Sequence, residues 1–137
     1  MEKIRRFSIS IDKELLKKFD RYLRKKKYPT RSKAIENLMR SALVEEEWLE
    51  GKEVAGSIVL VYNHHKRELV AKLTDIEHDF HNIILSSQHI HLDHENCLEI
   101  IAIKGTPSEI EKLRNRLGAT KGVKHCSLTM ATTGREV

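Results

Sequence analysis

Only two cysteines, Cys97 and Cys126, occur among the 137 residues. Two thiols do not make a disulfide scaffold, so a reduced, cytoplasmic setting is expected. No apolar run approaches the ~20 residues that a membrane-spanning helix needs. The start, Met1-Glu2-Lys3-Ile4-Arg5-Arg6, is basic, but no apolar segment of the kind a secretory signal carries follows it. Acidic residues are scarce early in the chain: residues 1–44 hold 14 Lys/Arg against 5 Asp/Glu, a balance of +9. Histidine is missing from the same region. All 8 histidines lie in residues 51–137, where Lys/Arg and Asp/Glu number 11 each. Between the two regions stands the acidic run Glu45-Glu46-Glu47, closed by Gly51. These shifts divide the chain into two expected domains, residues 1–50 and 51–137, one basic and one neutral and histidine-rich.

A basic module of this size suggests a polyanion as partner. Arg5 to Ile11 alternates: Phe7, Ile9 and Ile11 share one face of an expected strand, Arg6, Ser8 and Ser10 the other. Asp12 can cap a following helix, whose apolar stripe is Leu15, Leu16, Phe19, Tyr22 and Leu23. Lys25-Lys26-Lys27-Tyr28-Pro29 interrupts it as a solvated turn. Thr30 can cap a second helix with the stripe Ala34, Ile35, Leu38, Met39, Ala42 and Leu43. A lone strand with no partner in its own module is an exposed edge. Pairing with the same strand of a second chain removes that edge and makes a dimer. The resulting two-stranded ribbon would present Arg6, Ser8 and Ser10 from both chains, and such a ribbon fits the DNA major groove.

The second module reads βαββαβ, a ferredoxin-like order. Strands are expected over Val54–Tyr62, Ile83–Leu92, Cys97–Lys104 and Val123–Met130. Helices are expected over Arg67–His81 and Pro107–Leu117, the latter capped by Thr106. The second and third strands form a hairpin around Asp93-His94-Glu95. His89 and His91 then share a face, and with the loop centred on His94, His91 stands opposite Cys97. Cross-strand partners have Cβ atoms ~5 Å apart. Taken singly, a strand histidine is more often structural than a ligand. Two imidazoles and a thiol in matching register outline a transition-metal site short of one ligand. The nitrogen and sulfur donors exclude magnesium and calcium and leave zinc, copper or nickel. An enzyme would want an open coordination position with a general base beside it, and no adjacent nucleophile is evident. A metal store would have no use for a basic ribbon.

The segment Arg5–Leu43, with its Phe-Ser-Ile-Ser-Ile strand and Thr-Arg-Ser-x-Ala-Ile helix start, resembles the ribbon-helix-helix repressors. That head, joined to a βαββαβ (ACT-like) body carrying His89-x-His91-x5-Cys97-Leu-Glu-Ile, resembles the nickel-responsive regulators of the NikR family over about residues 5–131. The resemblance implies an α+β protein that binds a palindromic double-stranded DNA operator and represses nickel-uptake genes. It implies one Ni(2+) per subunit, held square-planar by His89, His91 and Cys97 of one subunit and His78 of a neighbour, in a homotetramer built as a dimer of dimers. The same architecture answering to copper or zinc is the alternative. Lys66 and Lys121 match positions of basic contacts to the DNA backbone. Similar proteins often carry an acidic residue at the position of Lys33 and aspartate at that of Asn37, where an alkali cation sits between head and body. Lys33 removes the negative charge such a cation wants and offers an ammonium instead. His81, His94, His64 and His65 are expected to be structural or solvated and Cys126 buried and inert. Trp48 is expected to pack between head and body.

Overall fold

The computed structural model describes residues 3–137. The chain divides into two compact units, Met1–Ser41 and Ala42–Val137. In the first, α1 (Lys13–Lys26) starts where the Asp12 carboxylate accepts the Leu15 N–H at 2.9 Å, which satisfies one of the donors left free by the first turn. It stops at Lys27, whose φ of 59° is left-handed and whose N–H turns back to the Arg24 carbonyl. Arg24, Lys25 and Lys26 fill the last turn, where cations complement the helix dipole. The second helix, α2 (Arg31–Glu50), begins with the Lys33 N–H donating to Thr30 Oγ1 at 3.0 Å. Arg31 grips Asp20 of α1 through two hydrogen bonds of 2.9 and 2.8 Å.

The strand expected over Arg5–Ile11 is not formed: residues 3–12 carry no regular secondary structure. The described order of the head is therefore helix–helix rather than β-α-α. A strand exists only as one rail of a hydrogen-bonded ladder, and the described part of this unit holds no second rail. The alternating apolar side chains consequently stay uncovered, with Phe7 64%, Ile9 56% and Ile11 44% exposed. Phe7 and Ile9 line an open groove with Ile35 and Met39 of α2. Leu38 and Met39 are about half exposed.

In the second unit, β1 (Val54–Asn63), α3 (Arg67–Asp79), β2 (Ile84–His91), β3 (Asn96–Gly105), α4 (Pro107–Gly118) and β4 (Val123–Met130) follow in the expected βαββαβ order. The strands form one antiparallel sheet in the order β2-β3-β1-β4. Alternate residues of the inner strands, Ile58, Leu60 and Tyr62 of β1 and Cys97, Glu99, Ile101 and Ile103 of β3, are buried. They meet Leu69, Leu73 and Ile76 of α3 and Ile110, Leu113 and Leu117 of α4. Both helices thus cover one face of the sheet. Gly56 lets β1 approach β4 closely, since a Cβ there would come within 2.6 Å of the Thr129 carbonyl oxygen.

The last turns of α2 belong to this second unit. Trp48 is buried there, its indole N–H donating to the Ala131 carbonyl at 2.9 Å, so it anchors the helix end within the body. Neighbouring Glu47 is buried as well and accepts the Thr132 hydroxyl at 2.8 Å. α4 begins with a reciprocal cap: the Glu109 N–H donates to Thr106 Oγ1 and the Thr106 N–H to Glu109 Oε1, both at 3.3 Å. Thr106→Ala removes half of this cap and is expected to lower stability by about 1 kcal/mol. A urea midpoint for the body that does not move would show that the cap contributes nothing.

Candidate metal centre

β2 is an edge strand and β3 lies inside it, with His89 opposite Glu99, Ile90 opposite Leu98 and His91 opposite Cys97. The expected pairing of His91 with Cys97 is present. Because Cys97 and Glu99 point to the helix-covered face, their partners His91 and His89 point there too. On its other side Cys97 pairs with Tyr62 of β1, and Glu99 with Leu60. One end of the sheet therefore carries a row His91–Cys97–Tyr62 beside a row His89–Glu99–Leu60. Cys97 is 2% exposed, whereas the His89 side chain, on the edge, is 53% exposed.

The side chains of His89, His91 and Cys97 do not converge on a common point. Among the described residues no group of three or more His, Cys, Asp or Glu side chains is placed to hold a metal ion. Each imidazole is turned to another partner. His91 stacks on His64, ring centres 4.5 Å apart and planes 8° apart. His89 lies with Nδ1 3.3 Å from the Tyr62 hydroxyl and Nε2 3.7 Å from Glu99 Oε2. His78 is exposed in the last turn of α3, its ring 5.8 Å from that of His81. Among the described residues it does not join the other three within one chain.

The donors nonetheless suit a borderline transition metal, and the hydrogen bonding around His89 readies it. Tyr62 has a single hydroxyl proton and donates it to Glu99 Oε1 at 2.9 Å. Toward His89 the same oxygen accepts, so Nδ1 is the donor in that contact. Orientation of a ligating imidazole through its other nitrogen is the usual support of metal sites. Glu99 is fully buried. Burial, with Glu99 facing it, pushes the Glu77 carboxyl on α3 up to about 9, so Glu77 is protonated at neutral pH. Burial and the Glu99 carboxylate also raise the Tyr62 phenol, which keeps its proton. Partial burial and the rings of His65 and His91 lower His64, whose Nε2 is buried without a partner. Tyr62, Glu77, Glu99 and His64 were not singled out from sequence as parts of this site. Period two along β3 could have flagged Glu99, two residues beyond Cys97.

The remaining predicted residues lie elsewhere. Arg6, Ser8 and Ser10 are all exposed in the irregular segment before α1. Lys66, at the start of α3, makes no side-chain cap and lines an open basic groove of about 740 Å³ with Arg67, Lys72 and Lys121. Lys33 is exposed in the first turn of α2, and Asn37, one turn on, is half-buried. Cys126 is half-buried and donates to the Arg114 carbonyl at 3.7 Å, and burial raises its thiol, which makes a poor nucleophile.

Glu77 makes stability depend on pH. The unfolded chain gives up this proton near 4.5, the folded chain only near 9. Its contribution is therefore complete below the lower value and lost as the pH rises through the upper one. Glu77→Gln should flatten the fall in unfolding free energy between pH 6 and pH 9, measured by urea denaturation. Parallel pH profiles for the two proteins would rule out the shared burial of these carboxyls.

Residues 55–131 match the family described as NikR C terminal nickel binding domain. The chain is 53% identical over 135 residues to a protein of Syntrophus aciditrophicus (strain SB), an alignment covering 98% of each. It is 49% identical over 134 residues to one of Chlorobium limicola, covering 98% of this chain and 100% of the other, and 49% identical over 133 residues to one of Nitratidesulfovibrio vulgaris (strain DP4), covering 96% of each. All three carry the name nickel-responsive regulator. Among solved structures, uncharacterized protein TM1266 of Thermotoga maritima superposes with a TM-score of 0.53 at 16% identity. It covers 58% of this chain and 98% of its own, a likeness of fold alone.

Proposed function

The chain belongs to the family of nickel-responsive regulators, and we propose that it acts as a nickel-gated, sequence-specific DNA-binding transcriptional regulator rather than an enzyme. The observation that carries this reading is the β2–β3 register, which sets His89 and His91 on the same face as Cys97 in a chain that matches such regulators along nearly its whole length. In this reading His89, His91 and Cys97 of one subunit and His78 of a neighbour hold one nickel ion per subunit. The ion does no bond chemistry; it ties α3 of one chain to the β2–β3 hairpin of another. Cys97 must lose its proton to bind, so uptake releases a proton and weakens in acid. If the subunit arrangement that takes nickel best is also the one that fits the operator, nickel tightens DNA binding by linkage.

The uncovered apolar residues Phe7, Ile9 and Ile11 support a head completed by a second copy, in which Arg5–Ile11 becomes one strand of a ribbon-helix-helix. Arg6, Ser8 and Ser10 of that ribbon read base edges in a palindromic operator, while Lys66 and Lys121 contact the backbone. The domain division at residues 50 and 51 assigns DNA to the first part and metal and tetramer contacts to the second. Val59, Val61, Leu98 and Ile100 lie on the sheet face that no helix covers and are only half-buried, which supports further association into a dimer of dimers. Lys33 and Asn37 are read as junction residues between head and body, the Lys33 ammonium taking the place of an alkali cation. A cytoplasmic repressor of nickel uptake is the role this assembly fits.

Titration of the full chain with nickel, followed by absorption, tests the centre. A thiolate-to-nickel charge-transfer band near the ultraviolet edge is expected in the unmodified protein, and Cys97→Ala or His89→Ala should lose both the band and tight binding. Either variant binding one nickel per chain with unaltered affinity would sink the ligand assignment.

The DNA contacts separate by their chemistry. Arg6→Ala should weaken operator binding by about 1–3 kcal/mol and relax one position in each half-site. Lys121→Ala should weaken binding to every sequence alike and lower the salt slope by about 1. An Arg6→Ala protein that still discriminates its operator fully, in gel-shift competition, would take the ribbon out of base reading.

A further inference from the structure

The outer face of α1 carries a charge that the described part of the head does not neutralise. Seven of its 14 residues are Lys or Arg, and two are acidic. At 3.6 residues per turn, Lys13, Lys17, Lys18, Arg21, Arg24 and Lys25 fall within an arc of about 140°. The apolar stripe of Leu15, Leu16, Phe19 and Leu23 lies on the opposite side of the helix. A second copy that covers the stripe therefore leaves these cations in solvent.

Both acidic residues of the helix are already engaged. Glu14 pairs with Lys17 at 3.4 Å, and Asp20 is held by Arg31 of α2. The side chains of Lys18, Arg21 and Lys25 make no hydrogen bond or ion pair among the described residues. With Tyr22 and Arg24 they line an open groove of about 740 Å³. Tyr22 is exposed, and its ring lies 6.0 Å from that of Phe19, so its hydroxyl stands as a further donor beside the cations. Lys27 follows at the helix end with a φ of 59°, a left-handed conformation that glycine enters at lower cost. An exposed cation is thus placed where glycine would give the more stable stop.

Like charges crowded on one helix face repel one another, and a polyanion relieves that repulsion. From Lys18 to Lys25 the helix rises about 10 Å at 1.5 Å per residue. That matches the axial length of about three phosphates on one strand of duplex DNA. We propose that the outer face of α1, centred on Lys18, Arg21 and Lys25 and ending at Lys27, grips the phosphate backbone of double-stranded DNA without regard to sequence. This surface is separate from Arg6, Ser8 and Ser10: it holds the protein on any duplex, while the ribbon reads the operator. It rests on the DNA-binding role proposed above and adds to that role a contact outside the ribbon.

Titration of a fluorescent random-sequence duplex with the full chain, over a series of salt concentrations, tests the proposal. In Lys18→Gln/Arg21→Gln/Lys25→Gln the substitutes are good helix formers. Affinity at about 0.1 M salt should fall roughly tenfold or more, and the slope of log affinity against log salt should shrink by about 2–3. Nickel uptake should not change. Lys27→Gly should weaken the same binding severalfold while raising the thermal midpoint, a pairing that unfolding cannot produce. Arg6→Ala on the operator reports on the ribbon: lost discrimination there, beside a triple variant that grips random duplex as well as the unmodified protein, would leave the regulator reading standing and overturn the α1 surface. A triple variant that loses binding to polyglutamate but keeps the duplex would give the face to an acidic protein and overturn it too. An unmodified protein that binds neither operator nor random duplex would overturn both readings together.

Discussion

The register between β2 and β3 decides whether His89 and His91 share a face with Cys97. Side chains alternate faces with period two, so a slip of one residue would carry His89 and His91 to the helix-free face, away from Cys97. β2 contributes little to its own placement: apart from Ile84, every residue in it is exposed. The constraint comes from its surroundings. β3 is locked by burial of Cys97, Glu99, Ile101 and Ile103. The hairpin is closed at one end by the Asp93 carboxylate, held to about 2 by the N–H groups it accepts. At the other end the Lys104 N–H donates to the Ile83 carbonyl at 2.8 Å. An edge strand pinned at both ends can carry exposed, polar, ligand-bearing residues that an inner strand could not.

Behind the imidazoles stands a polar group that core packing alone would not choose. Glu99 is fully buried, linked to Tyr62 and faced by a protonated Glu77. Burying an ionised carboxylate is costly unless its charge is compensated, and the hydrogen bond with the protonated Glu77 carboxyl helps to offset that cost. Keeping the Glu77 proton avoids setting two negative charges together. Perturbed carboxyls of this kind gather at functional sites, and here the arrangement orients the His89 ring. The Tyr62–Glu99 pair thus connects the buried sheet to the orientation of His89 on its edge.

The head shows a different incompleteness. Its helices are capped, and Leu23 and Ala34 are buried, yet the segment before them has no ladder partner among the described residues and leaves its apolar side chains in solvent. An isolated edge of this sort is marginal until another chain pairs with it.

Local pattern determined much of this protein. Helical spacing placed α3 and α4 within two residues of their ends, Thr106 ahead of Pro107 marked a cap, and His-x-His with Cys97 after a short loop implied the observed pairing. These signals are local because helix and hairpin geometry repeat over a few residues. Other features needed the tertiary structure. Alternation in Arg5–Ile11 signals a capacity to be a strand, but a ladder needs a second strand that the described part of the head does not contain. The stripe read for the second helix ends at Leu43, whereas α2 continues to Glu50, its end held by Trp48, which is buried and bonded to Ala131. Tyr62 lies 37 residues from Glu99, and His64 and Glu77 reach the site from other elements. No short-range period encodes such distances; they exist only once the sheet and its covering helix have closed on one another.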